Sequence, residues 1–268
     1  MQHLDRAVRE WTPQTLRDAY LAHGCAIVRG AVDPAMLDRL REAIDRAYLK
    51  TSDVHVYDAA IREADGELTG FEMADTPLLR GFLDLLYAGQ AYKGANVAAR
   101  RVHGSSEVAN NFQVPLKLHV DAQYHGPTFT VNFWTPLQAC GVDSPTILLV
   151  PVDYKRTRAH VGFTGKKLRE GGEFYTDFFD LGSMDVDVVK RTFGDDIFLC
   201  PVMAVGDVVI ASNWIIHGSH HTATMTQGRK SVEVRFIGTR MDVRRDGWLT
   251  KLIWLFLRGK ARPFQDLR

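Results

Sequence analysis

Apolar residues in the early part of the chain recur at helical spacing. Leu37, Leu40, Ile44 and Ala47 are separated by Arg, Asp and Glu, so a helix starting at Asp33-Pro34 has one apolar face. Thr12-Pro13 supplies an N-cap followed by proline at the first helical position, and His23-Gly24 closes that helix. A third helix is predicted from Thr76-Pro77 through Leu86, with Leu78, Leu79, Phe82 and Leu86 turned inward. Between the first two helices, CAIVRG (Cys25–Gly30) reads as a short buried strand.

From about Val97 the pattern changes to short β-rich segments: NVAARRV, LKLHVDA, TFTVNFW, TILLVPV, DVVIAS and SVEVRFIG. Turn residues at 125–127, 143–145, 206–207 and 227–228 punctuate them, which is the pattern of an antiparallel sandwich or barrel. A polar, glycine-containing, partly helical insertion occupies 155–198, and DGWLTKLIWLFLRGK (246–260) reads as a C-terminal helix. No repeat or Pro/Gly/Ser linker divides the chain. One domain over 1–268 is expected: a mainly helical lead-in (1–95), a β-barrel core (96–240) carrying the insertion, and the terminal helix.

Composition narrows the partners. Hydrophobic residues at 46% and charged residues at 24% exclude a disordered, collagen-like or disulfide-framework chain. A net charge of +1 gives no overall pull toward nucleic acid or acidic membranes, so a small molecule is the expected partner. Cys25, Cys140 and Cys200 form no CxxC pair, which removes zinc-ribbon and thioredoxin-type motifs and suits a reducing compartment. The charged N-terminus lacks the apolar core of a signal peptide, and no apolar run reaches the ~18 residues of a membrane span. A cytoplasmic protein, monomer or homodimer, is expected.

The candidate chemistry lies in two segments. In Leu118-His119-Val120-Asp121-Ala122, strand geometry would turn His119 and Asp121 to one face and the apolar neighbours to the other. Farther on, Asn213–Ser219 carries His217, and Arg229 opens the next strand. Two histidines and one carboxylate make the facial triad of non-haem Fe(II) oxygenases, which leaves open metal positions. An arginine on the neighbouring strand fits the far carboxylate of a dicarboxylate cosubstrate, because guanidinium and carboxylate pair bidentately. Motifs of the GxSxG, HExxH and strand-following GxGxxG type are absent.

With these residues in view, the sequence resembles the phytanoyl-CoA dioxygenase family of Fe(II)/2-oxoglutarate-dependent oxygenases. HGCAIVRGAVDPAMLDRLREAID resembles the family's opening strand and helix, LHVDAQYHG its metal-binding segment, and VNFWTPL the strand that follows. PVMAVGDVVIASNWIIHGSHHT with GRKSVEVRF is similar to its distal histidine and arginine segment. The resemblance implies a mostly β protein with flanking helices and a double-stranded β-helix (jelly-roll, cupin-like) core. It implies His119, Asp121 and His217 as iron ligands and Arg229 as the anchor for the 2-oxoglutarate C5 carboxylate. Ser219 and Trp134 are implied beside that cosubstrate. The implied cofactors are Fe(II), 2-oxoglutarate and O₂, with ascorbate as reductant in vitro. The implied reaction is oxidation of a substrate C–H, most simply hydroxylation, with release of succinate and CO₂; desaturation, cyclisation and epimerisation are variants. Val150-Pro151-Val152-Asp153 departs from the family's Pro-Gly-Ser-His turn, and Asn96, Arg101, His103 and Gln113 compete for a polar anchor on the strand before the HxD. Intact Asp121 disfavours halogenation.

Plainer assignments stand beside these. His220 or His221 competes with His217, and Arg229 can be a salt-bridge partner on the surface. Arg235 either contacts substrate or neutralises locally with Glu233, and Tyr124 and His125 either reach substrate or are exposed turn residues. Lys155, Arg156, Arg158, Lys166, Lys167 and Arg169 either steer an anionic substrate or form a solvated loop. Trp248–Phe256 docks on the barrel or meets a membrane surface or partner. A cupin-type metal-dependent hydrolase or isomerase, and a non-catalytic binding protein, are the rival functions.

Overall fold

The computed structural model describes residues 2–51, 55–66, 68–88, 92–102, 117–122, 130–153, 155–157 and 186–238. Tyr124, His125, His103, Gln113, most of the basic insertion and the expected 246–260 helix lie outside the described residues.

The three helices expected from the sequence form where their caps place them. Helix α1 (Pro13–His23) opens on Thr12, whose side chain accepts from the Thr15 N–H while the Thr15 hydroxyl serves the Thr12 N–H. It ends on Gly24 at φ 72°, where an added Cβ would stand 2.8 Å from the Val152 carbonyl. Helix α2 (Pro34–Tyr48) is capped by Asp33, a short α3 (Asp58–Ala64) follows, and α4 (Pro77–Leu86) is capped by Thr76. In α4 the fully buried residues are Leu79, Phe82 and Leu83, with Leu78 and Leu86 at the margin. Within the insertion, α5 (Val186–Phe193) realises the expected helical part.

Nine strands make two sheets among the described residues: β1 (Asp5–Ala7), β2 (Cys25–Arg29), β3 (His55–Tyr57), β4 (Tyr92–Val102), β5 (Thr130–Pro136), β6 (Thr146–Val150), β7 (Val208–Ser212), β8 (Ile216–His220) and β9 (Arg229–Gly238). The larger sheet has the order β1-β2-β7-β5-β9-β4-β3, antiparallel throughout except for β1 with β2. The smaller sheet is the antiparallel pair β6-β8, widened by single bridges from His119 to His217 and from Leu199 to Leu149. Thus the early segment supplies three strands as well as its helices.

The helices cover the outer face of the larger sheet. Leu16, Tyr20, Leu37, Leu40, Ile44 and Phe82 pack there against Phe133, Ile210, Val232 and Val234. A fully buried ring such as Phe133 contributes about 1.5–3 kcal/mol through burial alone. On the inner face, Cys25, Ile27, Trp134, Val209 and Ala211 meet Ile147 and Leu149 of the smaller sheet. The outer face of the smaller sheet is covered by Val189 of α5, against Leu118, Val120, Val150 and Ile216. Both faces of β5 and β7 are therefore buried, which is why their sequences read as continuous apolar runs. The result is a mostly β jelly-roll (cupin-like) core with flanking helices.

Candidate metal centre

The two candidate histidines meet by strand pairing. His119 donates its backbone N–H to the His217 carbonyl at 2.8 Å, and His217 returns the bond at 2.9 Å. Residues that exchange both bonds stand directly opposite with side chains on one face, so the imidazole centroids lie 4.3 Å apart. Each ring is oriented by its own chain. His119 Nδ1 is 2.8 Å from the Lys117 carbonyl and His217 Nδ1 is 3.1 Å from the Ile215 carbonyl. A carbonyl only accepts, so Nδ1 carries a proton on both rings, the tautomer that in a neutral imidazole leaves Nε2 as the ligating atom.

Asp121 completes the group, though not as part of a strand. The expected strand LKLHVDA reduces, among the described residues, to bridge pairing at Leu118 and His119; Asp121 lies in a turn and Ala122 N–H is tied to the Asn213 carbonyl at 2.8 Å. That turn brings Asp121 Oδ1 to 3.6 Å from Nε2 of His119 and 3.6 Å from Nε2 of His217. One ligand atom from each residue lies within 4.8 Å of the others, and all three side chains are largely buried. A buried His-Asp-His triad of this kind can bind iron.

The second carboxylate oxygen is held from the other sheet. Asp121 Oδ2 accepts from Asn132 Nδ2 at 2.9 Å and from Arg235 Nη2 at 3.0 Å. Asn132 and Arg235 are register partners on β5 and β9, so both project from the inner face at the same height. Arg235 Nε donates in turn to Glu233 at 2.8 Å. Burial alone would raise the Asp121 pKa, but Arg235, His217 and His119 outweigh it and hold the carboxyl well below its ordinary range. Burial and the neighbouring His119 push His217 down, toward the neutral form that ligates metals. His220 belongs to the opposite face of β8 and pairs in register with Thr146.

Arg229 is buried at 4% exposure, and among the described residues it forms no ion pair. Its Nε has no hydrogen-bond partner, and Nη1 makes one long bond, 3.4 Å, to the Pro145 carbonyl. The guanidinium lies 5.2 Å from the centroid of Trp134. Burial pushes its pKa down to about 10. Trp134 and Asn132 are two apart on β5, on one face and about 7 Å along the strand, so the residue beneath the guanidinium shares the inner face with the side chain that holds Asp121. Ser219 shares the His217 face of β8, opposite Ile147 and two residues from Pro145 in the β6 segment.

Of the residues named from sequence, the fold brings His119, Asp121 and His217 together, places Trp134 under Arg229, and puts Arg235 on Asp121 rather than leaving it free. Asn132 and Arg100 were missed. Asn132 is the lone amide in an otherwise apolar strand segment, in phase with Trp134, which was its available signal. Arg100 is buried opposite Ser231 in register, and burial with the nearby Arg229 lowers its pKa to about 9. Its neighbour Arg101 instead stacks on Tyr48 at 4.6 Å.

Among the described residues, no helix is long and apolar enough to cross a membrane. By sequence, no family model and no curated protein matches the chain. Solved structures do match its fold. The crystal structure of AviO1 from Streptomyces viridochromogenes Tue57 superposes with a TM-score of 0.55 at 14% identity, over 85% of this chain and 96% of that one. SnoN, described as the non-heme alpha ketoglutarate dependent epimerase from nogalamycin biosynthesis, superposes with a TM-score of 0.50 at 15% identity, over 84% of this chain and 82% of that one. The chain has the fold of these two proteins.

Proposed function

We propose that this protein is a non-haem Fe(II)- and 2-oxoglutarate-dependent dioxygenase, related to the phytanoyl-CoA dioxygenase family, that oxidises a C–H bond of a small molecule. The observation that carries this reading is the convergence of two imidazole Nε2 atoms and one carboxylate oxygen, in a barrel whose inner face also carries a buried arginine with no acidic partner among the described residues. The donor set fits Fe(II): two imidazoles, both with Nδ1–H bonded so that Nε2 is preset for ligation, and one ionised carboxylate. The orphaned Nε of Arg229 fits an incoming carboxylate, for a buried donor without an acceptor is costly unless a ligand satisfies it.

In this reading His119, Asp121 and His217 hold the iron, which with 2-oxoglutarate and O₂ supplies the oxidising chemistry and leaves succinate and CO₂. Arg229 binds the distal carboxylate of 2-oxoglutarate by paired N–H donors, with Ser219 as a second donor and Trp134 as the wall beneath the guanidinium. The Lys117 and Ile215 carbonyls keep the imidazoles in the ligating tautomer, and Asn132 with Arg235 fixes the Asp121 carboxylate. The apolar inner wall of Ile27, Val209 and Leu149 excludes water from the barrel floor. Tyr124 and His125, after the HxD, are proposed to reach the substrate from outside the described residues, and an anionic substrate is proposed for the basic insertion.

The test is succinate formation from 2-oxoglutarate with Fe(II), ascorbate and O₂, stimulated by substrate and abolished in Asp121→Ala. Absence of any 2-oxoglutarate effect on thermal stability of the metal-loaded protein would favour a cupin-type isomerase or hydrolase instead. Product mass then separates outcomes: hydroxylation adds one oxygen atom, whereas epimerisation, the reaction for which SnoN is named, leaves the mass unchanged.

A further inference from the structure

We infer that Asn132 and Arg235 are positioning residues that restrict Asp121 to one-oxygen ligation and so preserve a full set of open positions on the metal. The inference rests on the metal assignment above and deepens it. Asp121 Oδ1 faces both Nε2 atoms, whereas Oδ2 is occupied by two donors, Asn132 Nδ2 at 2.9 Å and Arg235 Nη2 at 3.0 Å. Neither donor is free to follow the carboxylate if it rotates. Arg235 is tied by Nε to Glu233 at 2.8 Å, and Asn132 projects from the middle of β5, paired on both sides, to Ala211 of β7 and Arg235 of β9. The Asn132 amide has only one sensible orientation, because an ionised carboxylate accepts and never donates. Its own Oδ1 is buried without a partner among the described residues, so none of these draws the amide away from Asp121.

The consequence follows from coordination arithmetic. Two imidazoles and one carboxylate oxygen leave about three positions of a six-coordinate ion open, enough for a chelating 2-oxo acid and one further ligand. A carboxylate that swung Oδ2 onto the ion would take one of these, and a chelating acid would then fill the rest. Asn132 and Arg235 prevent that swing from the opposite sheet.

The experiment loads the full chain with Mn(II), a paramagnetic stand-in, and counts bound waters by electron paramagnetic resonance in ¹⁷O-labelled water. The variant Asn132→Leu/Glu233→Gln/Arg235→Met removes both donors while keeping the charge balance of the Glu233–Arg235 pair. About three waters are expected in the wild type and about two in the variant. With 2-oxoglutarate added, about one water should remain in the wild type and none in the variant, while the Mn(II) and 2-oxoglutarate affinities both stay within about threefold. Arg235→Lys, which retains a donor, should keep the wild-type water count. Should the triple variant fail to fold, Asn132→Val/Glu233→Gln/Arg235→Leu, which also removes both donors, is read in the same way. An unchanged water count, or parallel losses of Mn(II) and 2-oxoglutarate affinity, overturns the inference. Wild-type protein that binds Mn(II) but not 2-oxoglutarate removes the proposed function, while the water count still decides the role of Asn132 and Arg235.

Discussion

His119 and His217 are reciprocal cross-strand partners, joined by backbone bonds of 2.8 and 2.9 Å, and this pairing puts their imidazoles 4.3 Å apart. The candidate metal group therefore depends on the seam between the HxD segment and β8, not on either segment alone. Local sequence can orient each ring, but only the bridge brings the rings together.

His217→Ala is expected to weaken Fe(II) or Co(II) binding by more than about 100-fold, whereas His220→Ala changes it by less than about threefold. Equilibrium dialysis checks both. His220 belongs to the far face of β8, so a large effect there would reassign the ligand.

Arg229→Met should separate function from stability. The guanidinium is buried with no acidic partner among the described residues, so an apolar replacement should leave the ligand-free protein equally stable or raise its stability by about 1 kcal/mol. The same change should abolish 2-oxoglutarate binding. If Arg229 were a structural salt-bridge partner, its removal would instead destabilise by about 3–5 kcal/mol in chemical denaturation.

Arg229 also predicts a pH dependence. Its folded-state pKa lies near 10, below its ordinary value, because burial disfavours the cation. The unfolded chain consequently binds more protons above about pH 10, so the contribution of Arg229 to ligand-free stability rises with pH in that window. Binding of a dicarboxylate needs the charged guanidinium, so 2-oxoglutarate affinity should be level below that pKa and decline by up to about tenfold per pH unit above it. Calorimetry in buffers of different ionisation enthalpy would also show proton uptake on binding near pH 10. An affinity that stays level through about pH 11 would contradict the anchor role.

Gly24→Ala should destabilise the fold by about 1–3 kcal/mol without touching metal affinity per folded molecule. Gly24 is at φ 72°, and a Cβ there would approach the Val152 carbonyl to 2.8 Å. Urea denaturation read alongside metal titration separates the two effects.

How far the sequence reached depended on how local each feature was. Helices α1, α2 and α4 were legible because Thr12, Asp33 and Thr76 precede prolines and act through bonds only a few residues long. The candidate metal ligands were legible through the HxD spacing and a family resemblance, but not through a continuous strand: Asp121 is placed by a turn anchored on Asn213. Strand β3 and helix α3 escaped notice, since three residues of strand carry too little alternation to register and α3 lacks a side-chain cap.

By itself the sequence determined the helix starts, the β-rich character after Val97, and the residue types a metal centre would require. Tertiary structure decided what those residues touch. Arg235, Glu233 and Arg229 lie on one face of a single strand, and nothing in their order says that the first reaches Asp121, the second ties the first, and the third has no acidic partner among the described residues. Those roles come from two sheets closing on one another, which sets Asn132 and Arg235 in register against Asp121, 11 and 114 residues away in the chain. Periodicity reports which face a side chain occupies; only the closure of the barrel determines what it meets there.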